Sequence, residues 1–201
     1  MTRLQSVLED IDRVNAEDPV TEYDPASGAE QPRCLLYGQR MSRRLAAYRP
    51  EADECLQIAV RGQHIQRWVI PRGDYPEGRH GYHRWRRRLY DYHAERVDEL
   101  MAPQGYDEAD RERAASLVRK EGLKTDPDAQ TLEDVAAQVF LEHYLAPFMA
   151  DKGQQHGEAK LHHIIRRTWQ KMSPAGQEAA LALPMPPEAS SVVHAALAEQ
   201  A

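Results

Sequence analysis

Three residues of this 201-residue chain have the types and spacing to do chemistry together: His64, His93 and Asp134. His64 follows Val60 by four residues and Leu56 by eight, which places it on the apolar stripe of a helix. His93 shares a second stripe with Tyr82, Trp85, Leu89, Val97 and Leu100. Asp134, beside Glu133, sits in the first turns of the most apolar helical segment. Inward-facing imidazoles and a carboxylate must meet one another or a cation, because a carboxylate buried without a partner is costly. Two readings follow from the periodicity: a satisfied polar knot in a helical core, or a site for a divalent metal (Mn, Fe, Co, Ni or Zn). In the second reading Asp134 is a ligand, and Glu133 or Glu142 is available as a base. A buried salt bridge is the competing role for either glutamate. Arg67, Arg72, Lys120 and Lys124 are placed near the ends of these helices or in adjoining loops, where guanidinium forks and ammonium groups suit phosphate. Tyr75, Tyr82 and Trp85 are expected either to stack on a ligand ring or to pack helices together.

The elements that must position these groups read as helices throughout. Leu4, Val7, Leu8, Ile11 and Val14 recur at helical spacing, and Asp18-Pro19 closes that helix. Residues 19–33 read as a loop. Further helices are predicted from about Arg33 to Tyr48, from Glu51 through His64, from Tyr82 to Met101 and from Asp107 to Glu121. After Asp126-Pro127 a segment apolar on nearly every side runs to Phe148 and is expected to be central. Helices near Leu161–Met172, 174–182 and 187–199 complete the chain, with Ser173-Pro174 as a cap and helix start. No segment alternates with a period of two. The fold class predicted is all-α: one compact multi-helix domain over 1–201, with a helical C-terminal extension from about 174.

Composition narrows the functions. Hydrophobic residues are 41% and charged residues 29% of the chain, a globular balance, and the net charge is −6. General affinity for nucleic acid is therefore not expected. The charge is uneven: eight arginines between Arg61 and Arg88 face only Asp74 and Glu77. Such a run is a solvated helix face or an anion-binding rim, and RNA binding through its 79–88 part is the weaker alternative. No stretch approaches a membrane span, the first residues do not resemble a signal peptide, and two isolated cysteines, Cys34 and Cys55, suit a reducing compartment. A cytoplasmic protein is expected, with oligomerisation left open.

Several motifs resemble known families. His93-Ala94-Glu95-Arg96-Val97-Asp98-Glu99-Leu100 followed by Gly105-Tyr106 is similar to the second metal-ligand helix of the HD-domain metal-dependent phosphohydrolases. Leu132-Glu133-Asp134-Val135-Ala136 resembles their final aspartate motif. Gln63-His64 lies where those enzymes carry a His-Asp doublet, and Tyr37 where a first histidine ligand is expected. Leu36-Tyr37-Gly38-Gln39-Arg40-Met41-Ser42, Gln63-His64-Ile65-Gln66-Arg67-Trp68, Ile70-Pro71-Arg72 and Leu132-Glu133-Asp134 resemble, over about residues 3–185, an uncharacterised family of bacteria and fungi. Some of its members are labelled glutamyl-tRNA synthetases. Lys171-Met172-Ser173 resembles a fragment of a synthetase loop, but no strand–helix alternation or glycine-rich nucleotide fingerprint accompanies it. The resemblances imply a metal-dependent phosphohydrolase with a variant HD-like site, acting on a nucleotide or small phosphorylated metabolite. The alternative they leave is a non-catalytic HD-like module that binds a phosphorylated ligand or RNA.

Overall fold

A computed structural model describes residues 1–123, 125–156 and 158–198, apart from the side chains of 151–156. The chain divides into two units, residues 1–129 and 130–201. Both are helical, as the sequence predicts.

The first unit begins with α1 (Arg3–Asn15), started by a capping box in which the Thr2 hydroxyl accepts from the Gln5 amide and the Gln5 side chain accepts from the Thr2 amide. Its apolar stripe, Val7, Ile11 and Val14, is buried. Part of the predicted 19–33 loop is instead an antiparallel hairpin, β1 (Thr21–Asp24) and β2 (Ala29–Pro32), pairing Thr21 with Pro32 and Asp24 with Ala29. The Asp24 carboxylate accepts from the Ser27 amide, and Gly28 closes the turn at φ +70°. Neither strand alternates apolar and polar residues, so patterning carried no signal for it. Charge anchors it instead: Arg40 of α2 (Arg33–Tyr48), with only 5% of its side chain exposed, pairs with Glu22 and lies 3.4 Å from Asp24.

Asp53 caps α3 (Glu54–Gly62), accepting from the Leu56 amide at 2.8 Å. The helix predicted through His64 therefore stops two residues short of it. A turn over 63–66 leads to single 3-10 turns at Arg67–Val69 and Arg72–Asp74, and then to α4 (Gly78–Met101). Three hydrogen bonds brace the connection. Arg72 donates to the Tyr75 and Pro76 carbonyls at 2.8 and 2.9 Å, and the Trp85 indole donates to the Ile70 carbonyl at 2.9 Å. α5 (Glu108–Arg119), capped by Asp107, packs along α4. α6 (Pro127–Val139) starts in the first unit, where Arg113 pairs with Asp126 and Asp128, and Asp128 also takes Arg49 at 2.6 Å.

The second unit contains the rest of α6. The predicted apolar helix to Phe148 is interrupted by a π-helical turn, Phe140–Tyr144, before α7 (Leu145–His156). α8 (Glu158–Trp169), α9 (Pro174–Leu181) and α10 (Pro187–Ala198) follow. Leu141, Leu145, Ile165, Ala180, Val193 and Ala196 form a buried cluster within this unit. Among the described residues no helix is long and apolar enough to cross a membrane. Cys34 and Cys55 are buried free thiols, pushed up by burial to about 12 and about 11.

The Arg113 side chain, ahead of a smaller opposing effect of burial, holds the Asp126 carboxyl down at about 2. A carboxyl depressed in the folded state stabilises above its unfolded value near 3.8, and that contribution disappears as pH falls toward 2. Asp126→Asn is expected to lower stability by about 0.5–1.5 kcal/mol at pH 7 for a partly exposed charged hydrogen bond. Urea unfolding at pH 7 and pH 2.5 checks this, and a loss of equal size at both would contradict it.

Candidate functional site

The site begins where α3 meets α4. A Cβ at Gly62 would lie 2.5 Å from Val97 Cγ2, so glycine permits a helix contact one turn from His93 that a side chain would obstruct. The chain then turns through Gln66 in the left-handed region at φ 49°, ψ 36°. That conformation costs a non-glycine residue about 1–2 kcal/mol. Three hydrogen bonds hold it: the Gln66 amide donates to Asn15 Oδ1 at 2.9 Å, and Gln66 Oε1 accepts from the Tyr92 hydroxyl at 3.1 Å and Arg96 Nε at 3.0 Å.

This turn gathers a group of side chains from separate elements. The His64 ring stacks on Tyr37 at 4.1 Å and lies 6.2 Å from the His93 ring. The Tyr37 hydroxyl donates to Gln63 Oε1 at 3.1 Å. The Arg67 guanidinium lies 4.7 Å over the Trp85 ring. It is partly buried, and no carboxylate among the described residues pairs with it. Lys120, the left-handed C-cap of α5 at φ 61°, and Arg86 of α4 add to the positive field at His64. Arg86 donates to the Tyr90 hydroxyl and faces the rings of Tyr82 and Tyr90 at 5.7 and 5.2 Å.

The electrostatics follow from this arrangement. Burial, and then the charges of Arg67, His93, Lys120 and Arg86, push His64 well below the ordinary imidazole range. Burial and Arg67 push His93 down to about 3, although the Ile65 carbonyl opposes the loss of its proton. His93 is wholly inaccessible, and neither ring nitrogen completes a hydrogen bond. Burial also lowers Arg67, yet a guanidinium keeps its charge at any ordinary pH. The group is thus two neutral imidazoles and a phenol among cations, a setting suited to an anion.

Of the residues singled out from sequence, His64, His93, Arg67 and Lys120 converge here. Arg72 has a structural task instead, spanning the carbonyls of its own loop. Tyr75 lines a surface cavity of about 340 Å³ with Arg84, Arg87 and Arg88. Lys124 lies outside the described residues. Asp134 is 1% exposed, so its inward orientation is as predicted, and the hydrogen bonds described for it come from the second unit. It accepts from the Ser173 amide at 2.8 Å, the Ser173 hydroxyl at 2.6 Å and Gln130 Nε2 at 2.9 Å. A Cβ at Gly176 would lie 2.5 Å from its Cγ, so α9 starts directly on this carboxylate. Glu133 lies 3.4 Å from Lys171, the salt-bridge role weighed against its use as a base. Glu142 lies 3.5 Å from His143. Among the described residues no group of three or more His, Cys, Asp or Glu side chains is arranged to hold a metal ion.

Sequence reasoning missed Gln66 and Arg86. Nothing in a glutamine announces a left-handed conformation. Arg86 had a signal, since Tyr82 and Tyr90 flank it at four residues on either side and so share its helix face. His162, which was not among the candidates, is 4% exposed.

Together these features describe a helical protein whose first unit holds a cation-rich, carboxylate-poor centre. Residues 5–193 match the family described as Domain of unknown function (DUF4202), and the chain belongs to that family. No curated protein and no solved structure matches the chain.

Because folding lowers the affinity of both histidines for protons, their neutral forms stabilise fully above the unfolded value near 6.5, and stability falls as pH drops below it. His93→Leu removes one such group and an unsatisfied polar ring. The variant should melt no lower than the natural protein at pH 7 and show a shallower decline in melting temperature between pH 6.5 and pH 5. An unchanged pH profile would refute the assignment of a buried neutral His93.

Proposed function

We propose that the first unit binds the phosphate group of a small phosphorylated ligand between His64 and Arg67, with Lys120 and Arg86 adding to the positive field. The observation that carries this reading is the Arg67 guanidinium, stacked on Trp85 and lacking a carboxylate, beside imidazoles that burial keeps uncharged. A charge partly withdrawn from water without an opposite charge beside it loses hydration, and an arriving anion offsets that loss. Arginine offers a planar fork matched to phosphate oxygens. Neutral His64 can donate one N–H to the same group.

The likeness to HD-domain proteins is supported by convergence of three of the positions that carry it. Tyr37, Gln63-His64 and His93 lie together, with the Tyr37 ring on His64 and its hydroxyl on Gln63. The same side chains suit a divalent metal poorly. They supply two imidazoles and a hydrogen-bonded phenol, surrounded by positive charge, and Asp134 is occupied by the α9 cap. We therefore favour a binding module on an HD-like scaffold over a metal-dependent phosphohydrolase. The glutamyl-tRNA synthetase label finds no support in a mostly helical chain whose described strands form a single two-stranded hairpin.

Calorimetric titration with inorganic phosphate at low ionic strength tests the reading. Binding should weaken about 10- to 100-fold in Arg67→Ala, as for loss of a charged hydrogen bond, and should weaken with added salt. Unchanged affinity in Arg67→Ala, with the variant folded by circular dichroism, would overturn it. Release of phosphate from p-nitrophenyl phosphate that requires added manganese and is lost in His64→Ala would instead favour the hydrolase.

A further inference from the structure

The outer face of α4 carries a charge order that the helix by itself does not favour. From Gly78 to Tyr90 it has five arginines and no acidic residue; from Asp91 to Met101 it has four acidic residues and one arginine. The first turn holds no acid and the last turn no base. A helix macrodipole is stabilised by the reverse order, with anions near the N-terminus and cations near the C-terminus. Arg84, Arg88, Asp91, Glu95 and Glu99 recur at three- and four-residue spacing, opposite the buried stripe Trp85, Leu89, His93 and Val97. All but the half-buried Asp91 are exposed. Two recesses open along this face. One, of about 340 Å³, sets Arg84, Arg87 and Arg88 against Asp91. The other, of about 520 Å³ where α4 meets α5, sets Glu95, Asp98, Glu108 and Glu112 against Arg111 and Arg119. Each recess has two charges in excess, of opposite sign, and Arg88 and Glu95 mark their near edges about 10 Å apart along the axis. Within the chain Arg88 reaches Glu95, Arg111 reaches Asp98 and Arg119 reaches Glu112, at 3.3, 3.4 and 3.1 Å. Arg84, Arg87 and Glu108 form no ion pair among the described residues.

We infer that this face pairs with the same face of a second copy of the chain, antiparallel about a two-fold axis that passes between Asp91 and Tyr92. Residues equally far from that point then meet: Arg88 with Glu95 of the second copy, and Arg84 with its Glu99. The positive recess of each copy lies against the negative recess of the other, and the contact repeats itself as an isologous interface requires. Charge complementarity selects a second copy over other occupants. A nucleic acid or an acidic peptide would match the basic half of α4 and be repelled by the acidic half, whereas the two-fold pair uses both. Exposed ion pairs are individually weak and screened by salt, so the dimer forms and dissociates readily.

Sedimentation velocity on the full chain tests the pairing. The natural protein is expected to show a monomer–dimer equilibrium whose association weakens at least tenfold between about 50 and 500 mM salt. Arg84→Glu with Arg87→Glu makes both recesses acidic, and Glu95→Lys with Glu108→Lys makes both basic, so each doubly substituted chain alone should be monomeric at low salt. Mixed in equal amounts, the two should dimerise again, because each copy then meets the opposite charge at both recesses. The milder Arg84→Gln with Arg87→Gln should weaken the dimer in the same direction, and circular dichroism checks that every variant is folded. A natural protein that stays monomeric at low salt and submillimolar concentration overturns the inference, as does one that stays monomeric and binds a single-stranded oligonucleotide or an acidic peptide through Arg84 and Arg87. A dimer that survives either charge reversal, or folded variants that stay monomeric when mixed, overturns the pairing of these faces. Growth beyond a dimer overturns the two-fold arrangement in favour of head-to-tail contact.

Discussion

The left-handed turn at Gln66 is the constraint on which the centre of the first unit depends. α3 runs into α4 at the Gly62–Val97 contact, and the chain turns away there through residues 63–66. A residue with φ near +49° makes the reversal in one step and carries Arg67 back toward the Trp85 ring. Asn15 of α1 holds the turn's backbone, while Tyr92 and Arg96 of α4 hold its side chain. Two helices, α1 and α4, are therefore tied to one residue, and the position of His64 relative to His93 follows from those ties.

The protonation states follow in turn. Were His64 or His93 charged, each would add a positive group beside Arg67 in a setting already short of negative charge. Burial resolves this by keeping the rings neutral, which preserves an N–H donor on each without adding to the repulsion. The arginine cannot be neutralised in the same way. Its stacking on Trp85 compensates only in part, since a cation over an aromatic face contributes about 0.5–2 kcal/mol. A positive charge thus remains at a place where the surrounding imidazoles are neutral and supply no negative charge.

Much of the architecture was legible in the sequence, because helical periodicity reports burial directly. Val7, Ile11 and Val14, the α4 stripe through His93, and inward-facing Asp134 all follow from spacing. Spacing reports which face is buried but not which neighbour it meets. Asp134 shows the difference: its burial was predicted from the pattern, yet the partners described for it include a serine cap and a glutamine side chain, which carry no periodic signal. The hairpin was hidden for a related reason, since it is anchored by Arg40 with Glu22 and Asp24 and not by apolar alternation. His64 falls on a helical stripe in the sequence, but glycine at position 62 ends the helix, and the side chain reaches the centre from a turn.

The unpaired state of Arg67 is not a shortage of acid. The chain has 32 acidic residues against 26 lysines and arginines, and other arginines of the first unit find carboxylates readily. Arg61 holds Asp12 through two bonds of 2.8 Å, Arg113 bridges Asp126 and Asp128, and Arg40 bridges Glu22 and Asp24. Against that background, unfavourable features gather at one place: an unpaired guanidinium, a buried histidine without hydrogen bonds, and left-handed backbone at Gln66 and Lys120. These are the non-glycine residues with positive φ among those described, and both flank the same group. Each left-handed position costs on the order of 1–3 kcal/mol and persists only where surrounding contacts impose it. Lys120 serves folding as the C-cap of α5, while an anion bound at Arg67, as proposed, would gain from the guanidinium and from the neutral imidazole beside it.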